Sequence, residues 1–294
     1  MTLDSLGEDA VIQRLLAQLP DASGVLVGPG DDCAVIETAS PDVRGLLKTD
    51  CIVEGVHFLP ETDAAAVGWK ALARNVSDFA AMGAADPQHA LVTLVAPGDR
   101  EVAWAEALYE GIGRCAAEFG ISVAGGETSK SPAVCLISIS LMGEIPADKV
   151  VLRSGAKEGD AILVTGTLGG SLSGRHLSFE PRLKEARWLA SHYLPSAMMD
   201  LSDGLAKDLP RLAKASAAGY QVDLELVPCT EGCGPQEALG DGEDYELLFT
   251  LAEEKAEALL RDWKAAFPNL PLTRIGRMVP PAETVPLTGG WDHF

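Results

Sequence analysis

The sequence predicts a two-domain protein of mixed α/β (α+β) architecture, and three observations carry the prediction. The chain has 294 residues, enough for two ordinary domains. Helical and strand-like hydrophobic patterns alternate along it, as in layered α/β folds rather than bundles or sandwiches. A polar, turn-rich stretch, GEIPADKVVLRSGAKEGD, interrupts that alternation near 145–160. The expected domains are therefore 1–150 and 151–294. With 47% hydrophobic residues the chain can bury its cores without covalent staples.

Taken in order, apolar residues at 11, 12, 15, 16 and 19 have the spacing of a one-sided helix over 6–19, which Pro20 ends. In GPGDDCAVI (28–36) two acids precede an apolar strand, and LLKTDCIVEG (46–55) reads as a strand running into a turn. Over 64–82, Trp69, Leu72, Val76 and Phe79 form one helical stripe, closed by Gly83. A strand at 90–96, a helix at 100–119 closed by Gly120, a short strand at 121–124 and a longer one at 133–142 follow. The second half opens with the strand AILVTG and continues with helices at 183–193, 205–218 and 253–266, with QVDLELVP and YELLFTL as strands. Periodicity does not order the strands within a sheet.

Lys and Arg number 23 against 43 Asp and Glu, a formal charge of -20, so a basic groove for nucleic acid is not expected. A phosphate ligand in so acidic a chain needs its charge balanced by a divalent metal. The six cysteines form no C-x-x-C pair and read as reduced thiols. The acidic start MTLDSLGED does not resemble a signal peptide, and no apolar run is long enough to span a bilayer. The expectation is a soluble cytoplasmic protein without membrane or nucleic-acid partners.

Four acidic sites stand at breaks in structure. Asp31 and Asp32 follow glycines that let backbone approach a ligand closely. Thr49 and Asp50 end a strand just before His57, which can hydrogen-bond a phosphate. Asp78 shares a helical face with Asn75, beside the apolar stripe, and Arg74 at i−4 offers an ordinary ion pair. Asp200, Ser202 and Asp203, in MMDLSDGL, precede an amphipathic helix; one can cap it while the others reach a ligand. AGGETSK (124–130) reads as a glycine turn with Glu127, open to either metal and phosphate binding or a plain surface turn. GTLGGSLSG (166–174) lacks the ending of a P-loop and reads as a tight connection whose amides can meet anions. In DGEDYELLFT, Glu243 is a candidate substrate ligand and Asp244 a candidate turn stabiliser, and in the terminal GGWDHF two glycines let Trp291 close over a planar ligand.

In this order the motifs GDDCAVI, TDCIVEGVHF, GWKALARNVSDFAAMGA, GGETS, RSGAKEGD, MMDLSDGL, GEDYELLFT and GWDHF resemble the thiamine-monophosphate kinase family. That family belongs to a superfamily shared with aminoimidazole ribonucleotide synthetase and selenophosphate synthetase. The resemblance implies an aminoimidazole ribonucleotide synthetase-like fold: an N-terminal nucleotide- and metal-binding domain forming a barrel across a homodimer, and a C-terminal α/β domain closing the active site. It assigns Asp32, Thr49, Asp50, Asp78, Glu127, Asp200 and Asp203 to magnesium (Mg2+), with Asp50, Asp78, Asp200 and Asp203 at the catalytic centre. Tyr109, Gly126, Glu127, Arg153 and Ser202 fall to ATP, and His57, Glu243 and Trp291 to thiamine monophosphate. The implied reaction is direct in-line transfer from ATP to thiamine monophosphate, giving thiamine diphosphate. A related ATP-using synthetase and a noncatalytic nucleotide-binding dimer are the alternatives; the selenium branch would need a reactive cysteine before Asp31, and none is there. Against the family pattern, Lys48 stands where a hydroxyl is usual, Glu127 where Asp or Asn is, and Asp241 where Gly is, and the 174–182 segment is short.

Overall fold

The computed structural model describes residues 2–20 and 23–291; the last three residues of the GWDHF motif therefore lie outside the described residues. A first sheet is built from β1 (Val25–Val27), β2 (Ala34–Glu37), β3 (Val43–Val53), β4 (Asp86–Pro97), β5 (Ser122–Ser131) and β6 (Leu136–Pro146) in the order β1-β2-β3-β6-β4-β5. Only the β4–β5 pair is parallel. Strand alternation sends Leu46, Ile52, Val92, Ile137, Ile139 and Leu141 into a core beneath α2 (Ala64–Ala81) and α3 (Val102–Phe119). The opposite face is left exposed, with Leu47, Leu91 and Met142 on it.

Asp63 caps α2 by accepting from the Ala66 amide at 2.9 Å, and Gly120 ends α3 in the left-handed conformation expected of a C-cap. The two helices touch where side chains are missing. A Cβ added at Gly68 would lie 1.9 Å from the Leu108 carbonyl oxygen, and one at Gly111 would lie 1.9 Å from that of Ala65. This close approach aligns α2 rigidly beneath the sheet and points Asp78, near its C-terminal end, toward the seam between the two halves.

The second sheet has the order β8-β10-β7-β11-β9, all antiparallel, from β7 (Ala161–Thr165), β8 (Ala197–Asp200), β9 (Gly219–Val222), β10 (Leu247–Leu251) and β11 (Leu272–Val279). Strands β7, β8 and β10 are buried on both faces. On one side Leu163, Met198 and Phe249 pack with α4 (Leu183–His192) and α7 (Glu253–Ala266), in a core continuous with that of the first sheet. On the other, Val164, Met199 and Leu248 pack with α5 (Leu205–Ala215) and α6 (Pro235–Gly240).

Three elements differ from the periodicity reading. The first helix, α1, covers only Glu8–Leu16, because the Pro20 stop is preceded by an exposed, non-helical Leu19. AGGETSK is not a turn: it forms most of β5, an exposed edge strand held by its parallel register with β4. QVDLELVP is strand only to Val222; Asp223 then caps a single 3-10 turn at Leu224–Leu226. Strands β1, β8 and β11 and helix α6 went unread, β8 because its four residues merge with an acidic motif.

Candidate active site

Asp32 lies just before β2, Asp78 on α2 and Asp200 at the end of β8, three elements far apart in sequence. All three are buried, and each offers a carboxylate oxygen within 4.8 Å of the others. Such a cluster repels itself unless countercharges intervene. Arg153 holds Asp32 with a two-pronged contact, Nη2 to Oδ1 at 2.7 Å and Nε to Oδ2 at 3.2 Å. Lys48 Nζ donates to Asp78 at 2.7 Å, and Ser77 donates to Asp200 at 2.5 Å. Burial, helped by the charge of Asp32, still pushes the Asp200 carboxyl up to about 6, and burial raises Asp78 well above the usual carboxylate range. Burial opposes the charge on Lys48, but Asp78 and Asp50 outweigh it and hold the amine protonated beyond its ordinary range. Three clustered hard oxygen donors whose mutual repulsion is incompletely balanced fit a magnesium ion.

The cluster opens into a cavity of about 610 Å³ between the two halves. Asp50 lines it with Lys48 at 3.8 Å and Arg74 at 3.5 Å. The expected Arg74–Asp78 pairing is thus replaced: Lys48, reaching across from β3, takes Asp78, and Arg74 turns toward Asp50. Asp203 is at the same cavity but is held by Arg211 at 2.5 Å rather than drawn into the three-carboxylate cluster. Arg211 and Lys214 of α5, with Glu8, Ile12 and Gln13 of α1, form the far wall. None of these five was read from the sequence as a site residue, although Lys207, Arg211 and Lys214 recur on one face of α5 with helical spacing.

A second pocket of about 90 Å³ adjoins the first and is lined by His57, Glu243, Tyr245, Leu172 and Trp291. Backbone stitching assembles it. The amides of Glu243, Tyr245 and Trp291 donate to the carbonyls of Ser202, Leu201 and Asp203 at 2.7, 2.8 and 2.9 Å. To do so Glu243 and Tyr245 both adopt φ of 52°, a conformation disfavoured for non-glycine residues. The glycine-rich 166–174 segment meets anions as expected, but they are the protein's own: Gly169 and Gly170 donate to Asp244 and Asp241 at 3.0 and 2.8 Å. Beneath the pocket lies Lys70, fully buried, its Nζ bonded to the His57 carbonyl at 2.7 Å, His176 Nδ1 at 2.8 Å and Glu243 Oε2 at 2.6 Å. Burial works against ionised Glu243, but the His176 contact and Lys70 overcome it and bring the carboxyl down to about 2. Lys70 is itself lowered to about 8, burial outweighing Glu243.

Four of the sequence candidates are not brought to these cavities. Thr49 is exposed and donates to the Ile139 carbonyl at 3.3 Å; strand alternation puts its side chain on the sheet face opposite Lys48 and Asp50. Gly126 and Glu127 lie along the exposed β5, and Tyr109 is an exposed residue of α3. None of the four lines either cavity within a single chain.

Comparison with known proteins bears on this geometry. Residues 30–145 match the family model of AIR synthase related protein, N-terminal domain, and residues 174–286 that of its C-terminal domain. The chain is 41% identical to thiamine-monophosphate kinase of Rhodopirellula baltica, over 92% of this chain and 88% of that one. It is 35% identical to the Escherichia coli (strain K12) thiamine-monophosphate kinase over 98% of both. The chain belongs to the thiamine-monophosphate kinase family. Among solved structures, AaThiL complexed with AMPPCP and TMP superposes with a TM-score of 0.85 at 34% identity, covering 100% of this chain and 99% of that one. Thiamine-monophosphate kinase from Stenotrophomonas maltophilia K279a superposes with a TM-score of 0.74 at 31% identity, over 92% and 93% of the two chains. The two-domain fold of the AIR synthase-related family is thus common to this chain and its relatives.

Proposed function

We infer that this chain transfers the γ-phosphoryl group of ATP to thiamine monophosphate, giving ADP and thiamine diphosphate. It is an ATP-dependent phosphotransferase that uses magnesium. The observation that carries the reading is the pair of adjoining cavities: the larger, acidic and ringed by cations, suits a nucleotide triphosphate, and the smaller, beneath Trp291, suits the acceptor. A likeness at 34% identity to AaThiL complexed with AMPPCP and TMP supports the same pair of ligands.

Asp32, Asp78 and Asp200 are the residues that hold the metal, with Asp50 and Asp203 at the rim of the same cavity. Bound magnesium supplies charge neutralisation and a template for donor phosphate oxygens. Ser202 and Arg153 act on the nucleotide side. His57, whose Nδ1 accepts from the Val53 amide at 3.1 Å, acts as a positioning donor to the acceptor phosphate rather than as a base. That phosphate is already ionised near neutrality, so no proton needs removal before attack, and in-line positioning is the main task. Glu243, fixed by Lys70, faces the cationic heterocycle. The pocket is too small to enclose it, so the ring rests at the open mouth where Leu172 and Trp291 are half exposed.

The exposed face of the first sheet supports a homodimer. Leu47, Leu91 and Met142 are exposed there, and β5 is an uncovered edge. Pairing two such sheets into a barrel buries the apolar face and removes the edges. The roles assigned to Thr49, Tyr109, Gly126 and Glu127 belong to that assembly, in which residues 1–150 form the dimerisation domain and 151–294 close the site. Among the described residues no helix is long and apolar enough to cross a membrane. Incubating the purified chain with ATP, magnesium and thiamine monophosphate tests the reaction: ADP and thiamine diphosphate are expected in equal amounts, whereas ADP alone would point to another acceptor.

A further inference from the structure

The two cavities share a boundary of four residues, Arg74, Ser202, Asp203 and Tyr245, each of which lines both. Arg74 is the cation among them. On the reading above, the donor γ-phosphate and the acceptor phosphate meet across this boundary, where two anions must be pressed together.

The bonding of Arg74 sets it apart from the other two arginines of the acidic cavity, of which Arg211 is taken by Asp203 at 2.5 Å and Asp208 at 3.1 Å. Arg153 is committed to Asp32 through two N–H groups at 2.7 and 3.2 Å. Arg74 donates one hydrogen bond among the described residues, from Nη1 to the Cys51 carbonyl at 3.2 Å. Its Nε is buried and has no hydrogen-bond partner; Asp50 Oδ2 stands 3.5 Å away, outside bonding geometry. Nor is Arg74 needed to balance Asp78, since Lys48 does that at 2.7 Å. A buried guanidinium N–H without an acceptor is unfavourable unless a ligand supplies one, and a guanidinium edge matches phosphoryl oxygens. The backbone bond to Cys51 and the long approach of Asp50 hold the side chain in place without using up its donors.

We propose that Arg74 is a catalytic residue that binds an oxygen of the phosphoryl group in transit between the two cavities. As the bond from the γ-phosphorus to the β,γ-bridging oxygen breaks, its electron pair leaves with ADP, and the new bond forms from an acceptor phosphate oxygen. The negative charge on the transferring group's remaining oxygens faces the Arg74 guanidinium, which stays protonated throughout. Its contribution therefore falls on kcat rather than on ground-state binding.

The test compares Arg74→Met and Arg74→Lys with the wild-type chain, by steady-state kinetics, calorimetric titration with AMPPCP and with thiamine monophosphate, and thermal unfolding. The expected result is a kcat lower by about 100-fold or more for Arg74→Met and by about tenfold for Arg74→Lys, with both dissociation constants within about threefold of wild type. A kcat within about threefold of wild type in folded Arg74→Met overturns the assignment. If Arg74→Met does not fold, Arg74→Lys decides alone by the same threshold. A wild-type chain that makes no thiamine diphosphate overturns the reaction reading and this assignment with it; variants that equal an active wild type overturn the assignment alone.

Discussion

At Asp78 burial and charge oppose each other. Its carboxylate is buried with two more within 4.8 Å, balanced chiefly by Lys48. Asp78→Asn keeps an oxygen acceptor for Lys48 and removes one of the mutually repelling charges. The metal-free protein is therefore expected to unfold at an unchanged or higher temperature, while magnesium affinity falls and kcat drops by about 100-fold or more. Calorimetry in EDTA, magnesium titration and turnover check the three parts separately; a folded variant with unchanged magnesium dependence would remove Asp78 from the metal site. Lys70 gives a pH prediction with opposite signs for stability and function. Its folded pKa, lowered by burial to about 8, lies below the ordinary lysine value, so between about 8 and 10.5 the folded state releases the proton first and this group's contribution to stability rises with pH. Over the same rise the ammonium that fixes Glu243 is lost, so the KM for thiamine monophosphate should increase above about pH 8. Lys70→Met should raise KM at neutral pH and flatten that limb; a variant with the same alkaline limb would place the titration elsewhere.

At the scale of elements, α2 carries more of the site than any other segment. It bears Lys70, Arg74, Ser77 and Asp78 on successive turns, so its placement decides whether the clusters on the first and second halves meet. That placement depends on the glycine contact with α3. Gly111→Ala puts a methyl group 1.9 Å from the Ala65 carbonyl oxygen, which neither helix can relieve by a side-chain movement. The helices must separate, and a destabilisation of about 1–3 kcal/mol is expected, with a fall in kcat because Asp78 shifts with its helix. Urea unfolding and kinetics measure both; an unaltered midpoint would mean that the helices part without cost. The turn at Glu243 and Tyr245 shows the same dependence on neighbours, since its strained backbone is held by carbonyls of the 201–203 segment.

For the whole molecule, the exposed face of the first sheet is the feature that a single chain leaves unexplained. Leu91 lies on that face midway along β4, next to the edge strand, paired with Ser140 of β6 and with Gly125 of β5. Leu91→Glu places a charge where the partner sheet is expected, so sedimentation should show a monomer and the activity should fall with it, while near-wild-type circular dichroism shows that each chain stays folded. A dimeric, active Leu91→Glu would place the interface elsewhere. The net charge of -20 acts at this scale too: it excludes a basic groove and leaves anion binding to local cations such as Arg153, Arg211 and Lys214 and to metal.

The sequence by itself determined the alternation of helices and strands, the two halves, and the acidic motifs that become the site, because amphipathic period, glycine caps and clustered carboxylates are local properties. Gly120, Asp78 and the Asp200–Asp203 motif were legible for that reason. Only the tertiary structure decided which charge meets which. Lys48 takes Asp78 although Arg74 is four residues from it, because β3 packs against α2 and brings the Lys48 amine to 2.7 Å from the carboxylate, while Arg74 lies against Asp50. It also decided that Thr49 faces away from Asp50, since a strand turns successive side chains to opposite faces, and that GGETS is an edge strand, since a parallel neighbour holds it extended where its glycines alone favour a turn. Lys70 and Arg74 were invisible as site residues because a cation on a helix reads as solvated until the packing around it is known. Register, burial and the partners of charges depend on contacts between residues distant in sequence, and no local pattern encodes them.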